Sequence, residues 1–433
     1  METTSSRLAF ALIAMEGPDQ YSQAGGLGVR VTQLSRALAA SGYPTRLYFV
    51  GDPELTVEEI WEGVELRRIG QEISREFPGG VYQGERLKLS YLAARFPQQL
   101  VREWAVPQIE AGRVPVLLFE EWQTASWALS TFELLSEENF GDRCLVLWNA
   151  NNQFGFERMD WVGLERAAGI TTISRHMRLL VGGFGVDPIV IPNGIPAAYL
   201  APVDAGAVKE LQVAAGPRQV LLKVGRFHRD KRWIQAVRAL GELRAAQLPV
   251  RMLARGGNEH YRDEVMTAAR ECGLRVVQWE EEVNEVADLA RALQATPEAD
   301  LLELTRFLPE ELLPVLYASS LAVLANSGFE PFGLVGLETM AAGGVAVVGG
   351  TGEDYARHLH NSLVIESDNP HELAQVISHV AAKLGASDQI RRAAREMAAS
   401  YSWPLVVAGD LLPRLPLLAQ RQGILWPGSW PTA

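Results

Sequence analysis

Two glutamates eight residues apart, Glu330 and Glu338, enclose the run Pro331-Phe332-Gly333-Leu334-Val335-Gly336-Leu337. Apolar runs stand on either side, at Leu321–Asn326 and Val345–Val348. Read by hydrophobic period, the stretch is a buried strand, a loop, a helix and a second buried strand. Leu334, Val335, Leu337, Met340 and Ala341 recur at helical spacing, so the helix is expected to start near Phe332 or Gly333 and to stop at Gly343-Gly344. Glu330 then lies in the loop, and Glu338 about a turn and a half into the helix. The first helical turn presents free N–H groups that favour an anion, and glycine at 333 admits a ligand close to the backbone of Phe332, Gly333 and Leu334. Carboxylates do not bind phosphate, but they accept hydrogen bonds from hydroxyls. Two of them around an anion site imply sugars on either side of a diphosphate.

A pair of cations stands at another strand-to-helix junction. In QVLLKVGRFHRDKRWIQAVRAL, Gln219–Leu240, Arg226 ends the strand and Lys231 follows five residues later, at or near the helix start. Cations at that end oppose the helix dipole and reduce stability unless an anion is bound between them. Arginine holds phosphate oxygens in two places while lysine supplies a point charge, which again fits a diphosphate.

At EPFGLVGLE the sequence resembles the signature of retaining GT-B glycosyltransferases, most like family 4, in the superfamily of glycogen synthase, sucrose-phosphate synthase and mannosyltransferases. The resemblance implies an α/β fold of two Rossmann-like, doubly wound domains facing a cleft, with a C-terminal helix crossing back to the first. It also implies a metal-independent, retaining transfer of a hexose from a UDP-, ADP- or GDP-sugar to a hydroxyl of a saccharide or glycoconjugate, with no further cofactor. Carried over residue by residue, Arg226 and Lys231 stabilise the departing diphosphate, Glu330 meets the transferred sugar and Glu338 meets the ribose. Phe332, Gly333 and Leu334 belong to the donor site. Retention is expected by a front-face route in which the leaving phosphate takes the acceptor proton.

The N-terminal half supplies the remaining candidates. LAFALIAM, Leu8–Met15, reads as a buried strand, followed by EGPDQYSQAGGLG and an amphipathic helix from about Val29 to Ser41. Gly25, Gly26 and Gly28 allow close backbone approach to a phosphate or a sugar, and GGLG resembles the N-terminal loop of glycogen and starch synthases, which implies a place for Gly25 and Gly26 in the donor site. The lysine those enzymes carry before the paired glycines is absent, with Gln23 and Ala24 in its place. VPVLLFEE, Val114–Glu121, is a strand ending in carboxylates, so Glu120, Glu121, Trp122 and Gln123 are candidate acceptor residues. They occupy the place of a His-Asp-Trp run in the synthases. RCLVLWNANN, Arg143–Asn152, repeats the arrangement with Trp148 and Asn149 at its end. Trp122 and Trp148 are the tryptophans singled out for stacking on a sugar. Many relatives carry a histidine near Asn149, but no histidine precedes His176. Asn149 or a neighbouring amide must take that role, or the donor is held differently. A catalytically silent nucleotide-sugar-binding or scaffold protein is therefore the alternative, and a sugar-nucleotide epimerase a third reading.

The elements that must position these residues fit two domains in 433 residues with 48% hydrophobic content. The expected division is 1–200, completed by a returning helix at 403–422, and 201–402. Forty basic against 52 acidic residues, a net charge of −12, argue against nucleic acid and against a basic membrane-docking face. Cys144 and Cys272 show no metal-ligand spacing and are expected to be reduced thiols. The eight-residue N-terminal apolar run is too short to span a bilayer, and with no targeting signal a cytoplasmic location is expected. A long helix is expected from about Glu85 to Ala111, a solvated acidic helix within 280–300, and a loosely ordered tail from Trp426 to Ala433.

Overall fold

The computed structural model describes residues 7–257, 259–382 and 384–426, so all of the expected loose tail except Trp426 lies outside the described residues. Two compact units emerge: the residues up to Gly194 together with those from Trp403 on, and Ile195–Ser402. The boundary falls at Gly194 rather than near residue 200. Ile195 already belongs to the second unit, its N–H donating to the Tyr401 carbonyl at 2.8 Å. The turn Ala197–Leu200 is held there too, by Arg395 donating to the Leu200 carbonyl at 2.6 Å.

In the first unit eight strands form one sheet: β1 (Leu8–Ala14), β2 (Thr45–Val50), β3 (Glu58–Trp61), β4 (Val64–Ile69), β5 (Val114–Glu120), β6 (Leu145–Ala150), β7 (Gly169–Thr172) and β8 (Ile189–Val190). Their spatial order is β3-β4-β2-β1-β5-β6-β7-β8. All neighbours are parallel except β3 and β4. Every residue of β1 and β5 is buried, as expected of parallel strands covered on both faces. Helix α1 (Gly26–Ala40) follows β1 and begins three residues earlier than its apolar period suggests, inside the glycine loop. Strand β3, polar and largely exposed, carries no apolar run by which to find it. The long helix expected from Glu85 is interrupted: Glu85–Ala93, Phe96–Leu100, a π turn Val101–Ala105, then Val106–Glu110. Pro97 stands in the first turn of a new helix, where its missing N–H is tolerated, whereas Pro107 lies inside the unbroken helical run 96–110, just after the π turn. From Trp403 on, Trp403, Val406, Val407, Leu411, Leu415 and Leu418 join the core formed by β1, β5 and α1.

The second unit has a seven-stranded parallel sheet in the order β11-β12-β10-β9-β13-β14-β15. The strands are β9 (Gln219–Val224), β10 (Val250–Arg255), β11 (Val276–Trp279), β12 (Leu301–Leu304), β13 (Ala322–Ala325), β14 (Ala346–Val348) and β15 (Leu363–Val364). Helices α2 (Trp233–Ala245) and α3 (Leu334–Ala341) follow β9 and β13. The acidic stretch 280–300 is not a solvated appendage. Its helix Val286–Ala295 buries Leu289, Ala290, Ala292 and Leu293 and forms the crossover between β11 and β12, a strand its charged flanks conceal in the sequence. No helix among the described residues is long and apolar enough to cross a membrane.

Both sheets reverse their winding beside a central strand. In the first unit β1 lies between β2 and β5, and in the second β9 lies between β10 and β13. Ligands of open α/β sheets collect at the carboxyl ends of such strands. Glu16 and Glu120-Glu121 stand at that edge of the first sheet. Arg226 and the Asn326–Glu330 loop stand at that edge of the second.

Candidate functional site

In the second unit the loops leaving β9 and β13 are tied together. The Gly328 N–H donates to the Asp230 carbonyl at 2.7 Å, and the Asn326 amide reaches the Gln235 side chain at 3.0 Å. Lys231 sits in a short 3₁₀ turn just before α2, as its spacing suggested, and its Nζ meets Glu330 Oε2 at 2.5 Å. Both side chains keep contact with solvent, at 32% and 20% exposure. Arg226 lies exposed two residues beyond the end of β9, its carbonyl accepting the Trp233 indole N–H at 2.9 Å.

Glu330 is clamped by its backbone. Its N–H donates to Thr351 Oγ1 at 2.8 Å, and the same hydroxyl donates to the Glu330 carbonyl at 3.0 Å. Thr351 in turn donates its N–H to Glu353 Oε2 at 3.1 Å. The turn Gly349–Glu353 thus packs on the signature loop, and a Cβ on Gly352 would strike the Glu330 and Pro331 carbonyl oxygens. Burial, and secondarily the nearby charge of Glu330, pushes the Glu353 carboxyl up to about 8.

Gly333 caps α3 at φ 81°, a conformation that favours glycine. Its close neighbours come from the chain itself: a Cβ there would lie 2.7 Å from Glu353 Cγ and 2.9 Å from the Tyr355 hydroxyl, which also donates to the Gly333 carbonyl. Phe332 is buried against Tyr355 and Tyr401, so its ring is core and only its backbone is left for a ligand. Leu334 is half-buried at the start of α3. Glu338 lies on α3 as expected. It accepts from the Tyr317 hydroxyl at 3.3 Å, and burial raises its carboxyl to about 7. Tyr199 stacks on Tyr317 at 6.4 Å between ring centres, walling the same place.

Lys223 escaped sequence reading. It is buried in β9, donating to the Leu324 carbonyl at 3.1 Å and to Asn326 Oδ1 at 2.5 Å, with the Trp233 ring 5.1 Å away. Burial first, then the charges of Lys231 and Arg232, lower its pKa well below the usual lysine range. The one signal was a lysine inside an otherwise apolar strand.

In the first unit the candidates at the ends of β5 and β6 form a closed polar network. Glu120, wholly buried, accepts from Arg30 Nε at 3.1 Å, Asn149 Nδ2 at 2.8 Å and Asn151 Nδ2 at 2.7 Å. Arg30 also donates to Asn193 Oδ1 at 2.5 Å, and Thr171 to Asn149 Oδ1 at 2.9 Å. The Asn149 side chain is therefore committed to its neighbours and does not stand in for the relatives' histidine. Trp148 is corrected as well. It is wholly buried edge-on to Phe156 and Trp161 with its N–H on the Glu121 carbonyl, so its face is closed to a sugar. Trp122 is half-buried against Gly155, and Gln123 donates to Glu85 at 3.0 Å.

Glu121 is the exception in this network. Its backbone adopts φ 71° and ψ 166°, a region otherwise almost confined to glycine. One carboxylate oxygen accepts the Asn151 N–H at 2.7 Å, while the other is buried without a partner among the described residues. Burial dominates, and the carboxyl rises to about 8.

The glycine loop is occupied from within. Glu16 Oε2 accepts the N–H groups of Gly25 and Gly28, each at 2.9 Å, and that of Ala24 at 3.4 Å. The Gly25 amide offered to a donor on sequence grounds is thus already bonded; the Gly26 amide is not among Glu16's donors.

Two doubly wound sheets, parallel but for the β3–β4 pair, give the chain the GT-B fold. Sucrose-phosphate synthase from Thermosynechococcus elongatus shares it with a TM-score of 0.64 at 19% identity, over 95% of this chain and 100% of that one. The catalytic domain of starch synthase IV from Arabidopsis thaliana, bound to ADP and acarbose, does so with a TM-score of 0.67 at 16% identity, over 96% and 100%. Residues 209–397 match the family described as Glycosyl transferases group 1, and this part of the chain is a group 1 glycosyltransferase domain. Over 100 residues the chain is also 33% identical to an uncharacterized glycosyltransferase of Methanocaldococcus jannaschii. That stretch spans 22% of this chain and 26% of the relative, about a quarter of its length.

Proposed function

We propose that the protein is a glycosyltransferase that moves a hexose, with retention and without a metal, from a nucleotide-diphospho-sugar to a hydroxyl of a saccharide or glycoconjugate. The observation that carries this reading is the Lys231–Glu330 pair, held at 2.5 Å by the linked loops of β9 and β13 and still open to solvent. A donor diphosphate takes Lys231 and the exposed Arg226. Glu330, released from its ion pair, accepts from hydroxyls of the transferred sugar. Glu338 suits the ribose: burial makes its charge costly, and two hydroxyl donors would offset that. Positive groups aimed at the leaving phosphate stabilise charge as it develops, each worth about 3 to 4 kcal/mol when well placed. Retention is assigned to a front-face route, with the phosphate taking the acceptor proton. Glu121 is the residue against which that is judged: a glycosyl-enzyme trapped on it would replace the route with double displacement.

The test is a panel of UDP-, ADP- and GDP-sugars with chelator and a mixed pool of sugar acceptors, read by thermal shift and by donor consumption on wild type and Glu338→Ala. A donor that stabilises only the wild type and is consumed only with acceptor supports the transferase. Stabilisation with no consumption across a widened acceptor pool supports a silent binder, and stabilisation by no donor removes the reading.

A further inference from the structure

Glu16 follows β1 at the carboxyl edge of the first sheet and is 4% exposed. Its Oε2 gathers the loop amides that precede and open α1, and its Oε1 accepts the Tyr82 hydroxyl at 2.5 Å. Converging backbone N–H groups at the start of a fifteen-residue helix form a site for an anion, and here the anion is a side chain of the same protein. The fit is close: a Cβ on Gly28 would lie 3.2 Å from Glu16 Oε2.

Beside this loop is a cavity of about 480 Å³, walled by Gln20, Tyr21, Gln23, Asp52, Tyr82 and Gln83 among others, with neither lysine nor arginine among the described residues of its lining. The cations behind it are engaged. Lys88 is fully buried and donates to the Tyr21 hydroxyl and the Gly80 and Val81 carbonyls at 2.6 to 3.0 Å. Arg68 is paired with Asp19 at 2.8 Å and with Glu59 at 2.8 Å. A phosphorylated or carboxylated ligand entering the cavity meets Asp52, an Ala24 amide already turned to Glu16 and, among the described lining residues, no free cation. A polyol meets the side chains of Gln20, Gln23 and Gln83, which both donate to and accept from hydroxyls.

We propose that this cavity is the subsite for a neutral, polyhydroxylated acceptor, and that Glu16 determines that charge preference by occupying the place an acceptor's anionic group would need. The proposal rests on the transferase reading for the word acceptor, but the charge preference is measurable without turnover.

The experiment is amide hydrogen exchange across residues 20–31 of the full chain, with and without inorganic phosphate, on wild type and Glu16→Ala. Phosphate is expected to leave exchange at Ala24, Gly25 and Gly28 unchanged in the wild type and to slow it several-fold in the variant. Phosphate protection of those amides in the wild type, or none in a folded Glu16→Ala, overturns the proposal. Should Glu16→Ala fail to fold, Glu16→Gln is compared with wild type on neutral sugars and their monophosphates as acceptors. The wild type is expected to favour the neutral member at least tenfold, and Glu16→Gln to narrow that ratio; a wild-type preference for the phosphates overturns the proposal. Donor consumed with no acceptor at all sinks the transferase reading and leaves the exchange result standing.

Discussion

The edges formed by β1 and β5 in the first unit and by β9 and β13 in the second are equivalent places in two sheets of one kind, yet they handle charge in opposite ways. At the first edge the charges are spent internally: Arg30 on Glu120, Glu16 on the loop amides, and the asparagines on both strand ends. At the second edge Lys231 and Glu330 pair while exposed, and Arg226 extends into solvent. A buried network in which Glu120 accepts from Arg30, Asn149 and Asn151 resists rearrangement, whereas a partly exposed ion pair exchanges partners at little expense. The second edge can therefore change partners without unfolding its surroundings. The first is built to present a rigid, hydrogen-bonding floor.

Removing a partner on each side should expose this asymmetry most strongly. Arg30→Leu leaves Glu120 buried without its cation and should destabilise the fold by about 3 to 5 kcal/mol, seen as a lowered denaturation midpoint. A near-neutral result would mean that the first edge is not closed. Lys231→Ala should leave the melting temperature within a few degrees of wild type but reduce donor consumption by about a hundred- to a thousandfold; unchanged turnover would remove the contrast from the other side. Gly333→Ala is expected to cost about 1 to 3 kcal/mol, from its positive φ and its contacts with Glu353 and Tyr355.

The smallest effect sharpens the comparison by pH. Glu121 holds its proton to about pH 8 when folded, against an ordinary value of 4.5. The unfolded chain releases that proton first, so the stabilisation is full at low pH and is lost as pH rises from about 4.5 to about 8. Glu121→Gln should remove this slope. Its melting temperature, relative to wild type, should rise most near pH 8 and least near pH 4, with Glu338 and Glu353 leaving a residual slope in both proteins.

Much of this was legible in the sequence because apolar period and glycine position are local. The signature strand, α3, its start at Gly333 and the place of Lys231 before α2 were all readable. What escaped depends on contacts distant in sequence. Trp148 looked like a strand-end platform because nothing local shows that Phe156 and Trp161 cover it. Asn149 looked free because Glu120 and Thr171, its partners, lie 29 and 22 residues away. The glycine loop looked open because Glu16 reaches it only once β1 and α1 have packed. Strand β12 was hidden for another reason, its four residues being too short a run to stand out beside an acidic helix.

The division of the chain also bears on its synthesis. The second unit is continuous from Ile195 to Ser402, but the first is written in two pieces, and the late piece supplies Trp403, Val406, Leu411 and Leu415 to its core. A chain emerging from the ribosome exposes the first sheet long before those side chains exist, whereas the second unit has everything it needs once Ser402 is clear. The part made first is therefore finished last. Until then its unfilled apolar face is the surface most in need of protection by chaperones.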